Sequence, residues 1–508
     1  MSLFLIGLDV GSSACKCIIV DEGLRPISQS AQAYPTYHPQ SAAAEQDPED
    51  WYGSACQAVR RCLESSGIEP ASVASLAVAG PAHSVALMDG ASDILHPTIH
   101  WSDLRSTPQT ERLETACGDA IFAATLCRVN PAWTLPQLLW LRENKPSLFR
   151  RLRRILVVKD YVRYRLTGLY QTDLYDAIGT QLYDVRAGAW SPALLELVDL
   201  AAEALPEVRP AAEVSGELTR AAARDCGLLE GTPVAVGSGD SVVEAAGIGA
   251  IAPGHCVLKL GTAANVNLVM REAKPCPGAI IYRHVVDPHW FAITATNSGT
   301  STLQWFAETF CCSATAQHDG QPAYSQVESL AAESAPGARG LLFHPYLQGE
   351  RSPYWDPHLR GDFVGIGRGH RLADFARAIL EGVAFSLRDC FELVNSFGDS
   401  IQRLYLIGGG AQSQLWGQIV CDVLGRPVVK PVVQSAAYGS AILAGIATGL
   451  FRDWADAQRV RSLPADVLQP AAESRRLYDS YFDAYRAVTQ AVQPHVQSLA
   501  KIAARENR

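Results

Sequence analysis

A chain of 508 residues is long for one hydrophobic core, so two domains with a cleft between them are expected. Its 48% apolar content and 40 glycines suit a packed α/β protein and exclude a disordered or fibrous one. A net charge of −9 argues against a nucleic-acid partner. No run reaches the roughly 20 apolar residues that span a membrane, and the opening lacks a secretory signal, so a cytoplasmic protein is expected.

The first elements are a strand from Leu3 to Asp9, a tight turn at Gly11–Ser13 and a strand from Lys16 to Val20. Such a hairpin turns backbone amides toward a ligand at a sheet edge. Asp47 and Pro48 open a helix that carries Trp51, Ala55, Val59 and Leu63 at helical spacing and stops at Gly67. A strand from Val73 to Val78 ends in the loop Gly80-Pro81-Ala82-His83, at the carboxyl end where open α/β sheets carry ligand residues. Helices follow at Pro131–Asn144 and Asp160–Leu166, while Arg150, Arg151, Arg153 and Arg154 between them read as a solvated helix end or linker.

A second α/β half begins near Val234, where Val234–Val236 leads into Gly237-Ser238-Gly239-Asp240 and Val257–Leu260 leads into Gly261-Thr262. The segment starting at Leu258 echoes the one starting at Gly7, which predicts the same strand-turn-strand unit in both halves. Gly337–Gly369 reads as ordered loops beside the cleft, Arg377–Phe397 as a helix, and Arg403–Ile407 as a strand that Gly408-Gly409-Gly410 joins to a helix ending near Leu424. The tail presents Leu477, Tyr481, Tyr485, Val488 and Val492 as the inner face of a docked helix. The 13 cysteines form no CxxC pair and read as reduced core residues, although Cys15 and Cys17, beside Lys16, could make the first loop sensitive to oxidation.

Three clusters carry chemistry. In Asp9, Gly11, Ser12, Ser13 and Lys16, glycine permits close approach of a phosphate, hydroxyls and amides donate to it, lysine neutralises it and aspartate suits hydrated magnesium. An ordinary strand turn would also explain this string. Asp240 follows small residues and could orient an alcohol and take its proton, though a plain helix cap fits as well. Gly261 and Thr262 could grip a β- or γ-phosphate. Gly408-Gly409-Gly410-Ala411 would set backbone against a nucleotide and aim a helix N-terminus at phosphate, or serve packing alone. No Walker or Rossmann spacing accompanies it.

Taken together, these segments resemble the FGGY carbohydrate kinases, and among their branches the xylulokinases, from about Leu3 to Leu450. The resemblance rests on Gly7–Lys16, Glu45–Trp51, Trp101-Ser102-Asp103-Leu104-Arg105, Lys159–Gly168, Thr172–Ala177, Gly239-Asp240, Pro345–Pro353, Gly408–Trp416 and Asp422–Pro427. It implies two actin-like domains of the ribonuclease H and hexokinase type. Residues 1–250 would bind sugar and carry the base, and 251–508 would bind nucleotide and end in the helical tail. It also implies ATP and Mg2+ as cofactors, and D-xylulose converted to its 5-phosphate with Asp240 as base. Asp9 would organise the metal, Thr262, Gly409 and Gly410 would contact nucleotide, and His83, Trp101, Asp103 and Arg105 would lie near the sugar.

Homodimers are common in that family, and no stripe here marks an interface. The chain departs from the xylulokinase pattern at Pro81-Ala82, where Gln-Met is usual, at Ser241, where Asn is usual, and at Ala263-Ala264. These changes leave another ketose such as ribulose, a polyol or an aldonate open as acceptor, and leave His83 open as a purely structural residue. A silent actin-like sugar sensor is the alternative from another class, and the joint presence of Asp9, Asp240 and Thr262 argues against it.

Overall fold

Apolar runs closed by glycine become the central strands of two mixed sheets, seen in a computed structural model that describes all residues except 1, 41, 312–322, 462–464 and 507–508. The chain divides into two compact units. One comprises Met1–Ile251, Ile281–Phe291 and Val433–Leu463, the other Ala252–Ile280, Ala292–Val432 and Pro464–Arg508.

In the first unit, β1 (Phe4–Val10) and β2 (Ala14–Asp21) form the expected hairpin, and β3 (Pro26–Ala33) pairs antiparallel with β2. α1 (Pro48–Ser66) starts where its signals place it: the Asp47 side chain accepts from the Glu49 N–H at 2.9 Å, and Gly67 closes the helix at φ 65°. β4 (Val73–Gly80) runs parallel to β1. α2 (Thr134–Asn144) begins three residues later than expected, because a turn from Asn130 to Trp133 precedes it. There follow α3 (Val158–Thr167), α4 (Leu174–Gly179), β5 (Val214–Glu217), β6 (Pro233–Ala235), β7 (Ser238–Gly239) and α5 (Asp240–Gly247). The sheet order is β5-β6-β4-β1-β2-β3, with β7 also paired to β4.

The second unit repeats the plan. β8 (His255–Leu260) and β9 (Ala264–Met270) form a hairpin. α6 (Leu372–Phe397), β10 (Arg403–Ile407), α7 (Gln414–Leu424) and β11 (Val428–Pro431) follow. The series β9-β8-β10-β11 ends on β12 (Ala465–Leu468) and matches β2-β1-β4-β6-β5 strand for strand, with the same parallel and antiparallel pairings. The internal echo expected from the sequence is therefore a repeat of topology. The stretch 337–369 is ordered, with Leu342–His344 pairing Asp362–Val364.

α8 (Ala436–Ala447) belongs to the first unit and lies directly on β1. At Gly7 a Cβ would fall 1.8 Å from the Ala437 carbonyl oxygen and 2.5 Å from the Ala441 nitrogen, so only hydrogen fits between strand and helix backbone. The tail helix α9 (Ala472–Glu506) docks through Tyr485 as expected, with Tyr481, Val488 and Val492 half-buried and the buried face turned slightly away from Leu477. Tyr478, Phe482, Tyr485 and Thr489 are buried while Leu477 is exposed. Tyr478 and Phe482 join Tyr485 as buried aromatics about one turn apart, and Tyr478 also donates to the buried Glu381 carboxylate at 2.7 Å.

Arg150, Arg151 and Arg153 follow the short helix Pro146–Phe149, and Arg154 opens the strand Arg154–Val157. The twelve cysteines among the described residues are free thiols, and Cys312 lies outside them. Burial holds the Cys15 and Cys17 thiols well above their usual range, so the expected oxidant sensitivity of this loop finds no support. No helix among the described residues is long and apolar enough to cross a membrane.

Because the methyl group of Gly7→Ala has nowhere to go, that substitution should destabilise the protein by about 3 kcal/mol in urea denaturation, at the upper end of overpacking costs.

Candidate active site

Sheet register brings two acidic residues of the expected site together. On β1, Asp9 is opposite Ala79 of β4, and on β7, Ser238 and Gly239 are opposite Ala79 and Gly80. Asp9, the Gly80–His83 loop and Asp240 thus emerge at the carboxyl ends of three adjacent parallel strands, the place such sheets bind ligands. Asp9 is mostly buried and its carboxylate lies 3.7 Å from the exposed Lys16 ammonium.

The first loop is braced from below. Buried Trp51 donates through Nε1 to Gln46 Oε1 at 2.9 Å, and Gln46 Nε2 donates to the Ser12 carbonyl at 2.7 Å. Trp101 Nε1 donates to Ser12 Oγ at 3.0 Å, joining two segments expected to hold different ligands. Gly11 and Ala14 close the turn backbone to backbone at 3.1 Å, and Ser12 and Ser13 are exposed. Asp103 and Arg105 pair with each other. Asp103 is 1% exposed, and its carboxylate takes the Arg105 guanidinium at 2.8–3.0 Å and the Ala44 N–H at 2.6 Å, while Arg105 also pairs Glu45 at 2.7 Å. This closed ion pair anchors the loop that carries Trp101, and no Asp103 oxygen is exposed to a sugar.

His83 sits at φ 81°, an uncommon conformation for a side-chain-bearing residue. Its Nδ1 lies 2.8 Å from the Gly179 carbonyl and must donate to it, which makes Nε2 the acceptor, 3.4 Å from the Tyr282 hydroxyl. Trp133 lies against the ring with centroids 3.7 Å apart. Burial lowers the imidazole pKa to about 3, so the ring is neutral. Sequence reasoning missed Trp133, Tyr175 and Tyr282, because aromatic residues in three separate segments give no spacing signal before the fold assembles them.

Asp240 is the first residue of α5 and Gly239 occupies the cap position, so the plain cap reading fails in detail. The Asp240 carboxylate still serves the first turn: Oδ1 accepts from the Ser241 N–H at 2.6 Å and from Ser241 Oγ at 3.1 Å. Behind it lies a fully buried ion cluster that the sequence did not reveal, although Lys159-Asp160 and Asp173–Asp176 stood out as motifs. Lys159 Nζ is 2.6 Å from Asp160, 3.1 Å from Asp173 and 3.1 Å from Asp176, and Arg163 is 3.2 Å from Asp160.

Burial works against the Lys159 ammonium, but the three carboxylates outweigh it and hold its pKa above the usual range. Burial pushes the Asp176 carboxyl well up, with the Lys159 ammonium working against that shift. Asp173 also accepts from Ser238 Oγ at 2.6 Å, tying the cluster to β7.

In the second unit, Lys259 of β8 is opposite Ile407 of β10, so Gly261-Thr262 and Gly408 follow adjacent strand ends. The glycine triplet leads into a 3-10 turn over Gly409–Gln412, and α7 starts only at Gln414, capped by Ser413 Oγ accepting from the Trp416 N–H at 2.9 Å. The helix N-terminus is therefore several residues past the glycines, not at them. A Cβ at Gly409 would meet nothing within 4 Å, which leaves backbone open to a flat ligand, whereas Gly410 and Ala411 are buried.

No group of three or more metal-ligating side chains occurs among the described residues. The lone carboxylate of Asp9 beside Lys16 suits Mg2+, which keeps waters and takes one or two carboxylates plus phosphate oxygens.

Lys159→Met strands the buried carboxyl groups of Asp160, Asp173 and Asp176 and should cost about 3–5 kcal/mol in urea denaturation. Asp176→Asn keeps the shape and removes only one of the three carboxylates facing Lys159, so it should cost less than Lys159→Met; equal losses for the two variants would contradict Lys159 as the charge that holds the cluster.

Two family models match the chain: the FGGY family of carbohydrate kinases, N-terminal domain, over residues 4–247, and the C-terminal domain of that family over 256–448. A xylulose kinase of Bacillus subtilis is 31% identical over 491 residues, covering 96% of both chains. A gluconokinase of the same organism is 28% identical over 455 residues, covering 88% of both. The crystal structure of xylulose kinase from Rhodospirillum rubrum superposes with a TM-score of 0.88 at 27% identity, over 97% of this chain and 99% of that one. The chain therefore belongs to the FGGY family of carbohydrate kinases, and is an ATP-dependent sugar kinase of two-domain α/β fold.

Proposed function

We propose that the chain phosphorylates D-xylulose at O5, with Asp240 as general base. The observation that supports it most is the register that sets Asp9, the His83 loop and Asp240 at three neighbouring strand ends. Bound ATP supplies the phosphoryl group and Mg2+ neutralises charge on the phosphates. Asp9 and Lys16 would hold that charge at the first loop, with Gly11, Ser12 and Ser13 donating to phosphate oxygens. Gly261, Thr262, Gly409, Gly410 and Ala411 of the second unit would receive the nucleotide. Asp240 would orient the terminal hydroxyl and take its proton as the oxygen attacks phosphorus.

The residues around His83 bear on the acceptor. His83 is neutral, its companions Trp133, Tyr175 and Tyr282 are uncharged, and the buried Lys159 is committed to carboxylates. Such a wall suits a neutral polyol chain with an acceptor at His83 Nε2 and stacking surface beside it, and these named groups bring no positive charge to an aldonate carboxylate. The likeness to a xylulose kinase at 31% identity points the same way. Gluconate is the second reading, favoured by the gluconokinase relative and by the altered Pro81-Ala82 loop.

The test is acceptor-dependent ADP release with ATP and Mg2+ across ketoses, polyols and aldonates. D-xylulose should give the highest kcat/KM, turnover should vanish on chelation of Mg2+, and Asp240→Asn should lower kcat by about 10²–10⁴ with acceptor binding retained. A higher kcat/KM for gluconate would overturn the substrate, and a near-normal rate for Asp240→Asn would overturn the base.

A further inference from the structure

We propose that Arg351 is a further site residue of the second unit, its guanidinium meeting an oxygen of the phosphoryl group that ATP gives up. This rests on Gly261-Thr262 receiving the nucleotide phosphates, and it gives a role to Pro345–Pro353, a motif that the reaction proposed above leaves unused.

Arg351 is a cation without a counter-charge. Among the described residues its guanidinium has one acceptor, the Thr296 carbonyl at 3.2 Å from Nη2, and it enters no ion pair. Its Nε is shut away from solvent and meets no acceptor. Glu350 is its neighbour in the chain, but neutral donors occupy that carboxylate. Oε1 accepts from the Asn297 and Arg351 N–H groups at 2.7 Å each, and Oε2 from the Thr296 hydroxyl at 2.6 Å.

Burial lowers the pKa of the guanidinium and Glu350 opposes that shift, yet arginine stays charged at any working pH. A desolvated cation with a single carbonyl partner is costly until an anion completes it. Trp355, four residues on, donates its backbone N–H to the Arg351 carbonyl at 2.5 Å and buries an indole Nε1 that also meets no acceptor. One turn therefore holds two donors without acceptors, as expected where the acceptor arrives with a ligand.

The position of this turn identifies the anion. Thr296 ends the strand Trp290–Thr296, which neighbours β9. The chain then passes over the turn between β8 and β9. The Thr300 N–H donates to the Gly261 carbonyl at 2.8 Å, and Ser301 gives its N–H at 3.2 Å and its hydroxyl at 2.7 Å to the Thr262 carbonyl. A Cβ at Gly299 would fall 2.3 Å from the Gly261 oxygen, so the two segments touch backbone to backbone. Arg351 is thus bonded to the same stretch, 296–301, that is bonded to Gly261-Thr262.

Gly261, Thr262, Gly409, Gly410 and Ala411, the residues of this unit proposed to receive the nucleotide, carry no charge. Arg351 supplies the cation they lack. During transfer, negative charge is spread over the oxygens of the phosphoryl group, and a guanidinium already fixed and desolvated stabilises it without reorganising.

Calorimetry on the whole protein with AMP, ADP and a non-hydrolysable ATP analogue, each with Mg2+, tests the assignment. Arg351→Met should weaken the analogue about 10-fold and ADP less than about 3-fold, leave AMP unchanged, and lower kcat with the best acceptor about 100-fold. Arg351→Lys, which keeps the charge without the planar fork, should recover part of each loss. Thermal unfolding without ligand reads what a merely bracing arginine would move: Arg351→Met should unfold at or above the wild-type temperature, since it removes a charge that nothing offsets.

Equal weakening of all three nucleotides, or a clearly lower ligand-free midpoint or failure to fold in Arg351→Met, would make Arg351 a brace for 296–301 and overturn the assignment. Unchanged binding of the analogue with a loss confined to aldonate turnover would identify the anion as an acceptor carboxylate and overturn it as well. Wild-type protein that binds the analogue no better than AMP would instead remove the phosphate role of Gly261-Thr262, and that of Arg351 with it.

Discussion

The register of three parallel strands is the constraint on which the site depends. Pairing fixes Asp9 beside Ala79, and Ser238-Gly239 beside Ala79-Gly80, so an acid, a loop and a second acid leave the sheet at one level. Slipping either pairing by one residue would turn every side chain on that strand to the opposite face. The register is held because β1 cannot shift: its buried Ile6, Leu8 and Val10 belong to the core that also contains Trp51, Val59 and Val78, and Gly7 admits the backbone of α8 on the other face. The position of the acids is thus a consequence of core packing some distance from them.

Behind the strand ends, charge is used as scaffold. Lys159, Arg163 and three aspartates are wholly buried, an arrangement that adds little net stability compared with apolar residues but permits few alternative geometries. Its contacts with Ser238 and with α4 carry that rigidity to the turn before Asp240. Asp103 and Arg105 play a similar part under Trp101. In both places the ion pairs hold loops, while the groups left partly open at the strand ends, Asp240 and neutral His83, are those able to meet a sugar.

Much of this was legible beforehand. The hairpin at Gly11, the helix opened by Asp47-Pro48 and closed by Gly67, and the repeat seen between Gly7 and Leu258 all rest on local rules, and each is present. What was not legible depends on tertiary assembly. The tail turned Tyr478 inward in place of Leu477 because Glu381 and aromatic packing chose the face. The pairing of Asp103 with Arg105 and the Ala44 amide likewise forms only in the folded chain. The glycines at 408–410 suggested a helix start, yet a 3-10 turn moves that start to Ser413. Tyr175 and Tyr282 become neighbours only once α4 and the segment 281–291 are folded, and no spacing in the chain predicts it.

Phosphoryl transfer as proposed requires the Asp240 carboxylate to meet the acceptor hydroxyl through the oxygen that Ser241 leaves open. A crystal structure of the protein with D-xylulose and a non-hydrolysable ATP analogue with Mg2+ tests it most directly. The prediction is that the O5 hydroxyl lies within roughly 2.6–3.2 Å of Asp240 Oδ2, with Oδ1 still accepting from Ser241 and the sugar beside His83. An O5 hydroxyl held by another residue, or an Asp240 carboxylate turned so that Ser241 donates to neither oxygen, would contradict it.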